Sequence, residues 1–155
     1  MSYSEYQRIR LYGGGNYFTD MLYPSKSFIV WDKRCHDEMR NDFADCEFAW
    51  CSSGLGVARV FRYLWNGMLQ GDMKHKEDRF HPTQKPVQLY TWILANYANM
   101  GDRILDTHAG SASSLVACEK MGFEYVGFEI DETYFKLAQE RINEEKSQLS
   151  IWKLP

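Results

Sequence analysis

Two acids lie at matching positions of a strand–turn–helix–strand pattern in the second half of the chain. Asp106 ends the short apolar run RILD, and Glu129 ends the run EYVGFE, 19 residues after Gly110 of the turn. In a βαβ unit, such a turn lets a ligand approach the backbone, and an acid about 20 residues further on accepts hydrogen bonds from ribose hydroxyls. The alternative is a packing glycine and a surface acid. The complete pattern favours a site for a nucleoside-containing cofactor.

The charge of the turn indicates which nucleoside it would hold. Residues 106–114 read DTHAGSASS, without the GxGxxG pattern of dinucleotide sites. An acid at the start of the turn repels a pyrophosphate and attracts a cation. S-adenosyl-L-methionine carries a sulfonium, an ammonium and no phosphate. We therefore expect S-adenosyl-L-methionine rather than NAD, and an oxidoreductase with an unusual turn is the less favoured reading.

Several segments resemble one enzyme family, the DNA N6-adenine/N4-cytosine methyltransferases. The segments similar to its cofactor half are HPTQKP at 81–86, ILDTHAGSASS at 104–114 and GFEIDETYFKLAQERI at 127–142. Those similar to its middle are GGGNYF at 13–18, FIVWDK at 28–33 and RYLWNGM at 62–68. The order resembles phage and prophage enzymes, in which the cofactor segments follow the catalytic ones. The resemblance implies amino-group methylation of DNA, with adenine N6 favoured over cytosine N4.

The resemblance also implies a set of cofactor-binding residues: Thr83, Lys85, Asp106, His108, Gly110, Glu129 and Asp131. The first two would hold the methionine end of the cofactor, and the next three would form the turn around it. The last two would lie at the ribose and near the adenine. Taken singly, His81 and Thr83 could instead start a helix, and Lys85 could be a solvated charge.

The turn departs from the family pattern DPFxGSGTT at two informative positions. His108 stands where the family has Phe, and Ala112 stands where it has a second glycine. An alanine at that position costs little with an ordinary φ, whereas a left-handed backbone there would be expected to block binding.

The family's catalytic loop, (D/N/S)PP(Y/F/W), accepts hydrogen bonds from the target amine and stacks on the flipped base. The four prolines of this chain are not adjacent to one another, so the catalytic residues are unknown. Either a preceding segment lies outside this sequence, or another polypeptide supplies it, or the chain is an inactive relic. The expected partners are DNA and either a second copy in a homodimer or a partner chain that supplies the missing segment. We expect the isolated chain to transfer little or no methyl group.

A stretch between residues 59 and 79 mixes basic and aromatic side chains, which suits phosphate contact and base stacking. The candidate DNA-binding residues are Arg59, Arg62, Lys74, Lys76 and Arg79. The alternative is a solvated loop, because neighbouring acids dilute the charge. The net charge of −3 excludes a strongly basic footprint, so any DNA contact must be local.

The expected fold class is α/β, a Rossmann-like S-adenosylmethionine-dependent methyltransferase fold with a mostly parallel sheet and helices on both faces, incomplete in this chain. A single domain is expected over 1–155, with a strand-rich half at 1–52, a loop-like recognition insertion at 53–80 and a cofactor half at 81–145. Expected helices start near Pro86, at Ser113 or Ser114, and near Asp131, with stops at Gly101 and Gly122.

The remaining composition excludes several classes of protein. The four cysteines form no CxxC pair and no zinc-like spacing with histidines, so no metal site is expected. No signal peptide or apolar run near 20 residues is visible, which favours a cytoplasmic protein without a membrane segment.

Overall fold

The computed structural model describes residues 10–35, 44–52, 56–66 and 68–152, with side chains described as far as residue 149. The chain divides into two compact units, Met1–Lys74 and His75–Pro155. The start of the expected RIRLY strand, at residues 8 and 9, lies outside the described residues.

The first unit is built on a four-stranded sheet and a small hairpin. Its elements are β1 (Leu11–Gly13), a 3-10 turn (Gly15–Tyr17), β2 (Phe28–Asp32), β3 (Cys46–Cys51), β4 (Ala58–Arg62), β5 (Trp65–Asn66) and β6 (Leu69–Gln70). The sheet order is β1-β3-β2-β4, and β5 pairs with β6. The strands predicted at 27–31 and 46–52 are present within one residue of their expected bounds.

Alternation along β2 and the buried end of β3 produce the core of this unit. Ile29 and Trp31 on β2 and Trp50 and Cys51 on β3 are buried. The Trp31 Nε1–H donates to the Tyr63 carbonyl at 3.0 Å, which satisfies a polar group that burial would otherwise leave without a partner. Burial raises the pKa of the Cys51 thiol to about 11, so this cysteine is a packing residue rather than a nucleophile.

The sheet of the first unit is mixed. β1–β3 and β2–β3 are antiparallel, and β2–β4 is parallel with Ile29 opposite Arg59. β3 lies between β2 and β4 in sequence and provides the long crossover that a parallel pair needs. The expectation of a mostly parallel sheet is therefore met in this unit by β2–β4 and not by the other two strand pairs.

The expectation of a loop-like insertion over 53–80 is wrong for its first part. β4 is a full strand of the sheet, and β5 and β6 form a hairpin. The sequence ARVFR of β4 does not alternate, because Arg59 and Arg62 are three positions apart and leave neither face of the strand wholly apolar. Four of its five residues are exposed.

The second unit contains the βαβ unit that the sequence predicts. Its elements are α1 (Val87–Tyr97), β7 (Arg103–Asp106), α2 (Ser113–Met121), β8 (Glu124–Gly127) and α3 (Glu132–Trp152). β7 and β8 are parallel, with Asp106 opposite Gly127. Within the described part of the chain, no helix combines the length and apolar character needed to cross a membrane.

α2 lies at the centre of this unit and contacts α1, α3 and both strands. Val116 and Cys118 of α2 are buried with Val87 and Leu94 of α1. A side chain at Gly127 would collide with Leu115, so glycine permits the close approach of β8 to α2. On the opposite face of β7–β8, alternate side chains such as Leu105 are exposed.

Two of the expected helix ends need correction. α2 has Ala112 rather than Ser113 or Ser114 as its N-cap, and both serines lie inside the first turn. α1 ends at Tyr97, four residues before Gly101, because the backbone is already extended at Ala98. Gly122 does end α2, in the left-handed conformation with φ +76°.

Candidate cofactor site

The turn glycine, Gly110, and the strand-end acid, Glu129, define the candidate site and are in direct contact. The Gly110 N–H donates to Glu129 Oε2 at 2.7 Å. The contact arises because β7 and β8 are parallel and end at the same edge, where the ladder continues from the Phe128 N–H to the Asp106 carbonyl at 2.9 Å. Gly110 has φ +53°, a conformation that favours glycine.

Glu129 is held as a charged acceptor. The Asp131 N–H donates to its Oε1 at 2.9 Å, while Gly110 occupies Oε2. These donors, Asp131 first, lower the pKa of Glu129 below its ordinary value, despite the opposing effect of partial burial. A carboxylate has about four lone-pair positions, so Glu129 keeps capacity for further donors such as hydroxyl groups.

The Asp106 carboxylate gives the turn its negative charge and also accepts hydrogen bonds that fix the turn's conformation. Its Oδ1 accepts from the His108 N–H at 3.0 Å, and its Oδ2 accepts from the Ser114 hydroxyl. The His108 ring is exposed, and its Nδ1 lies 2.9 Å from the Thr107 hydroxyl. Of the predicted turn residues, Asp106 thus organises the backbone, while His108 presents its ring to solvent.

The HPTQKP segment contacts the turn through its first residue, His81. A Cβ added at Gly110 would lie 3.3 Å from the His81 ring. The ring also packs edge-on against Tyr134 of α3, with centroids 4.3 Å apart. Sequence reasoning treated His81 only as a helix start, yet α1 begins six residues later. Its place at the head of the segment was the signal that could have identified it.

Thr83 and Lys85 are placed less directly. The Thr83 N–H donates to His81 Nδ1 at 3.3 Å, so Thr83 is fixed to His81. Lys85 is partly buried just before α1. Gln84, which lies between them, stabilises the segment. Its Nε2 donates to the Asp78 carbonyl at 2.8 Å, and its side chain is buried. No role was expected for Gln84 from the motif alone.

Asp131 has a local structural role. Its Oδ1 accepts from the N–H groups of Thr133 and Tyr134 at 2.9 and 3.0 Å, which caps the start of α3. Its backbone N–H also orients Glu129. Contact with an adenine remains a prediction for this residue.

Ala112 answers the question that its substitution for glycine raised. Its φ is +58°, and it is fully buried between the turn and α2. The backbone at this position is therefore left-handed, which is the case in which an alanine was expected to block binding. The turn nevertheless forms with alanine, at an expected cost of about 1–2 kcal/mol to its own stability.

Of the candidate DNA-binding residues, the two on β4 do not share a face of the strand. Arg59 and Arg62 are three positions apart on β4, so their side chains leave opposite faces of the strand. Arg62 Nε lies 3.4 Å from Asp32 Oδ2. Lys74 ends the first unit, whereas Lys76 and Arg79 belong to the second, and all three are exposed.

A parallel βαβ unit that joins a glycine turn to an acid at neighbouring strand ends defines a nucleotide-type α/β site. The sequence model of the N6/N4 methyltransferases, described as DNA methylase, matches residues 3–140, and the chain belongs to this family. The predicted family is confirmed.

Relatives and solved structures agree with this assignment. The chain is 32% identical over 91 residues, 59% of its length, to type II methyltransferase M2.DpnII of Streptococcus pneumoniae. It is 30% identical over 127 residues, 82% of its length, to type II methyltransferase M2.LlaDCHI of Lactococcus lactis subsp. cremoris. The crystal structure of the M1.HpyAVI–SAM complex matches with TM-score 0.51 and 29% identity over 74% of this chain. The α/β methyltransferase fold class is thereby confirmed.

The chain spans only part of these proteins. It covers 34% of M2.DpnII, 44% of M2.LlaDCHI and 60% of the M1.HpyAVI chain.

Proposed function

We propose that this chain is the S-adenosyl-L-methionine-binding portion of a DNA amino-methyltransferase. The observation that carries the proposal is the hydrogen bond from Gly110 to Glu129 at the adjoining ends of β7 and β8. It gives a member of this family an open glycine backbone beside a charged acceptor. M1.HpyAVI, which resembles the chain in fold and sequence, was crystallised with S-adenosyl-L-methionine.

The residues present fit this cofactor. Gly110 leaves free the space that a Cβ would fill beside His81, and Glu129 keeps lone pairs for hydroxyl donors. Glu129 would accept from the ribose, with Asp131 towards the adenine, and Asp106, Gly110 and His108 would surround the charged centre. The methionine end would lie with Thr83 and Lys85. When bound, the cofactor supplies a methyl group activated by its sulfonium.

DNA is the proposed substrate, with the amino group N6 of adenine as the favoured target. Arg59, Arg62, Lys74, Lys76 and Arg79 are the proposed candidates for phosphate contact, and Arg62, which pairs with Asp32, is expected to contribute least. Because no two prolines of this chain are adjacent, we propose that the acceptor-binding loop comes from a segment outside this sequence or from a partner chain. The same observation favours a second candidate function, a module that binds cofactor or DNA without turnover by itself.

Calorimetry tests the cofactor assignment. The chain is titrated with S-adenosyl-L-methionine and, in parallel, with NAD. Saturable binding of the first alone is expected, and binding of NAD alone would overturn the proposal. NAD, which carries adenosine with a pyrophosphate, controls for simple affinity towards adenosine.

Methyl transfer separates the two candidate functions. The chain is incubated with methyl-labelled cofactor and mixed-sequence duplex DNA, and the digested nucleosides are analysed. Little or no label is expected from the isolated chain. Strong labelling would show that the chain contains its own acceptor site, and the labelled nucleoside would identify adenine or cytosine.

A further inference from the structure

A largely buried ion pair lies next to the cofactor turn. Arg141 Nη2 of α3 is 2.5 Å from Glu77 Oε2, and the two side chains are 16% and 13% exposed. An ion pair so far removed from water needs further hydrogen bonds to be stable. The further hydrogen-bond partners of Arg141 and Glu77 therefore show which segments of the chain this ion pair connects.

The guanidinium of Arg141 donates hydrogen bonds to the residues on both sides of Ala112. Its Nη1 donates to the Ser111 carbonyl at 2.8 Å and to Ser113 Oγ at 2.9 Å. The hydroxyl groups of Ser111 and Ser113 are themselves 3.0 Å apart. Ser111, Ala112 and Ser113 are all buried, so these hydrogen bonds form where water cannot replace them.

Glu77 extends the same network to the start of α1. Its Oε1 accepts from the Val87 N–H at 3.0 Å, a helix-terminal donor that the N-cap Pro86 does not satisfy with its side chain. The pair thus links the segment before α1, the turn before α2 and the middle of α3. These are the elements that carry the HPTQKP and glycine-turn residues.

A non-glycine residue with positive φ persists only where its surroundings fix it. Ala112 is such a residue, and Arg141 contacts the residue before it and the residue after it. We propose that Arg141, oriented by Glu77, is a positioning residue that holds the cofactor turn in its left-handed form. The inference rests on the proposed function, because the turn matters to affinity only if the cofactor binds there.

The variants separate positioning from general stability. Arg141→Lys keeps a cation for Glu77 but loses the planar fork that reaches Ser111 and Ser113. Ala112→Gly removes the penalty for the left-handed backbone, so it should restore the turn in the Arg141→Lys background. Lys146→Gln is the matched control, because Lys146 is also on α3 and pairs with Glu119 at 3.2 Å, away from the turn.

Affinity for S-adenosyl-L-methionine is measured by calorimetry for each folded variant, and melting temperature is recorded separately. Arg141→Lys should weaken affinity by roughly tenfold, the scale of losing a left-handed alanine conformation. Adding Ala112→Gly should recover most of that loss, whereas Lys146→Gln should change affinity by less than about twofold.

Each outcome has one reading. Wild-type affinity in Arg141→Lys, or a loss that Ala112→Gly fails to recover, would overturn the positioning role. Recovery of melting temperature without recovery of affinity would do the same. If the unaltered chain does not bind S-adenosyl-L-methionine at all, the proposed function fails first, and that result is distinct from failure of the positioning role.

Discussion

The turn at residues 106–114 and the basic stretch at 59–79 were both proposed as binding regions, but the structure organises them differently. At the turn, the N–H groups of Gly110 and Asp131 both donate to the Glu129 carboxylate, at 2.7 and 2.9 Å. In the basic stretch, Arg59 and Arg62 leave opposite faces of one strand. Convergence on one point distinguishes the first region from the second.

The cause of the difference is the element that carries each set. Parallel strands end at a common edge, so residues that follow β7 and β8 must meet whatever their separation in sequence. A strand instead sends residues of odd separation to opposite faces. Residue type alone therefore predicts a site only when an element forces the side chains together.

The largest expected effect comes from Gly110→Ala. The new Cβ would lie 3.3 Å from the His81 ring at φ +53°, so strain and crowding add. We expect a loss of about 3 kcal/mol in the free energy of unfolding, measured with urea. Gly122→Ala is the control, because its φ is also positive but nothing lies within 4 Å of the added Cβ.

The control variant should lose only about 1 kcal/mol, because it bears the backbone strain alone. Equal losses in the two variants would mean that His81 does not crowd the turn. The contact between the HPTQKP segment and Gly110 would then need revision.

Glu129→Ala should weaken S-adenosyl-L-methionine binding by about 1–3 kcal/mol, the scale of losing charge-assisted hydrogen bonds. Calorimetry measures the change. Glu124→Ala is the matched control, since Glu124 is an exposed acid of β8 that pairs with Arg103 at 2.7 Å. Unchanged affinity in Glu129→Ala would exclude a ribose-binding role.

The same carboxylate predicts a dependence of stability on pH. The pKa of Glu129 is lowered in the folded chain, so the folded state releases its proton more readily than the unfolded state. The stabilisation is complete above the ordinary value of 4.5 and is lost as pH falls through the folded pKa. The stability difference between the wild type and Glu129→Gln should therefore shrink below pH 4.5 in urea titrations. A difference that grows on acidification would contradict this sign.

The second unit was more predictable than the first because its signals are local. The βαβ order follows from apolar runs and glycine punctuation, and the inward face of α3 follows from helical spacing of Tyr134, Leu137 and Ala138. The expectation for β4 was wrong because its two arginines lie on opposite faces, so neither face gives the apolar alternation that indicates a strand. The pair of Glu77 and Arg141 joins residues 64 positions apart, and no local pattern signals such a contact.

DNA binding tests whether the basic stretch acts as one surface. Arg59→Ala should lower the slope of log affinity against log salt by about 1, as expected for loss of one phosphate contact. Arg62→Ala should leave the slope nearly unchanged, because Arg62 is on the other face of β4 and is paired with Asp32. Filter binding to duplex DNA over a range of salt measures both. Equal decreases would show that both faces of the strand reach DNA.

The smallest expected effect, Ala112→Gly, measures the strain inside the turn. Relief of a left-handed alanine, about 1–2 kcal/mol, is offset by the entropy of glycine and the lost buried methyl group, each about 0.8 kcal/mol. The net change in unfolding free energy should be below about 1 kcal/mol. Ala117→Gly removes an equally buried methyl group from α2, where φ is helical, and should cost about 1.5 kcal/mol or more. The gap between the two variants is the strain, and equal losses would show that Ala112 carries none.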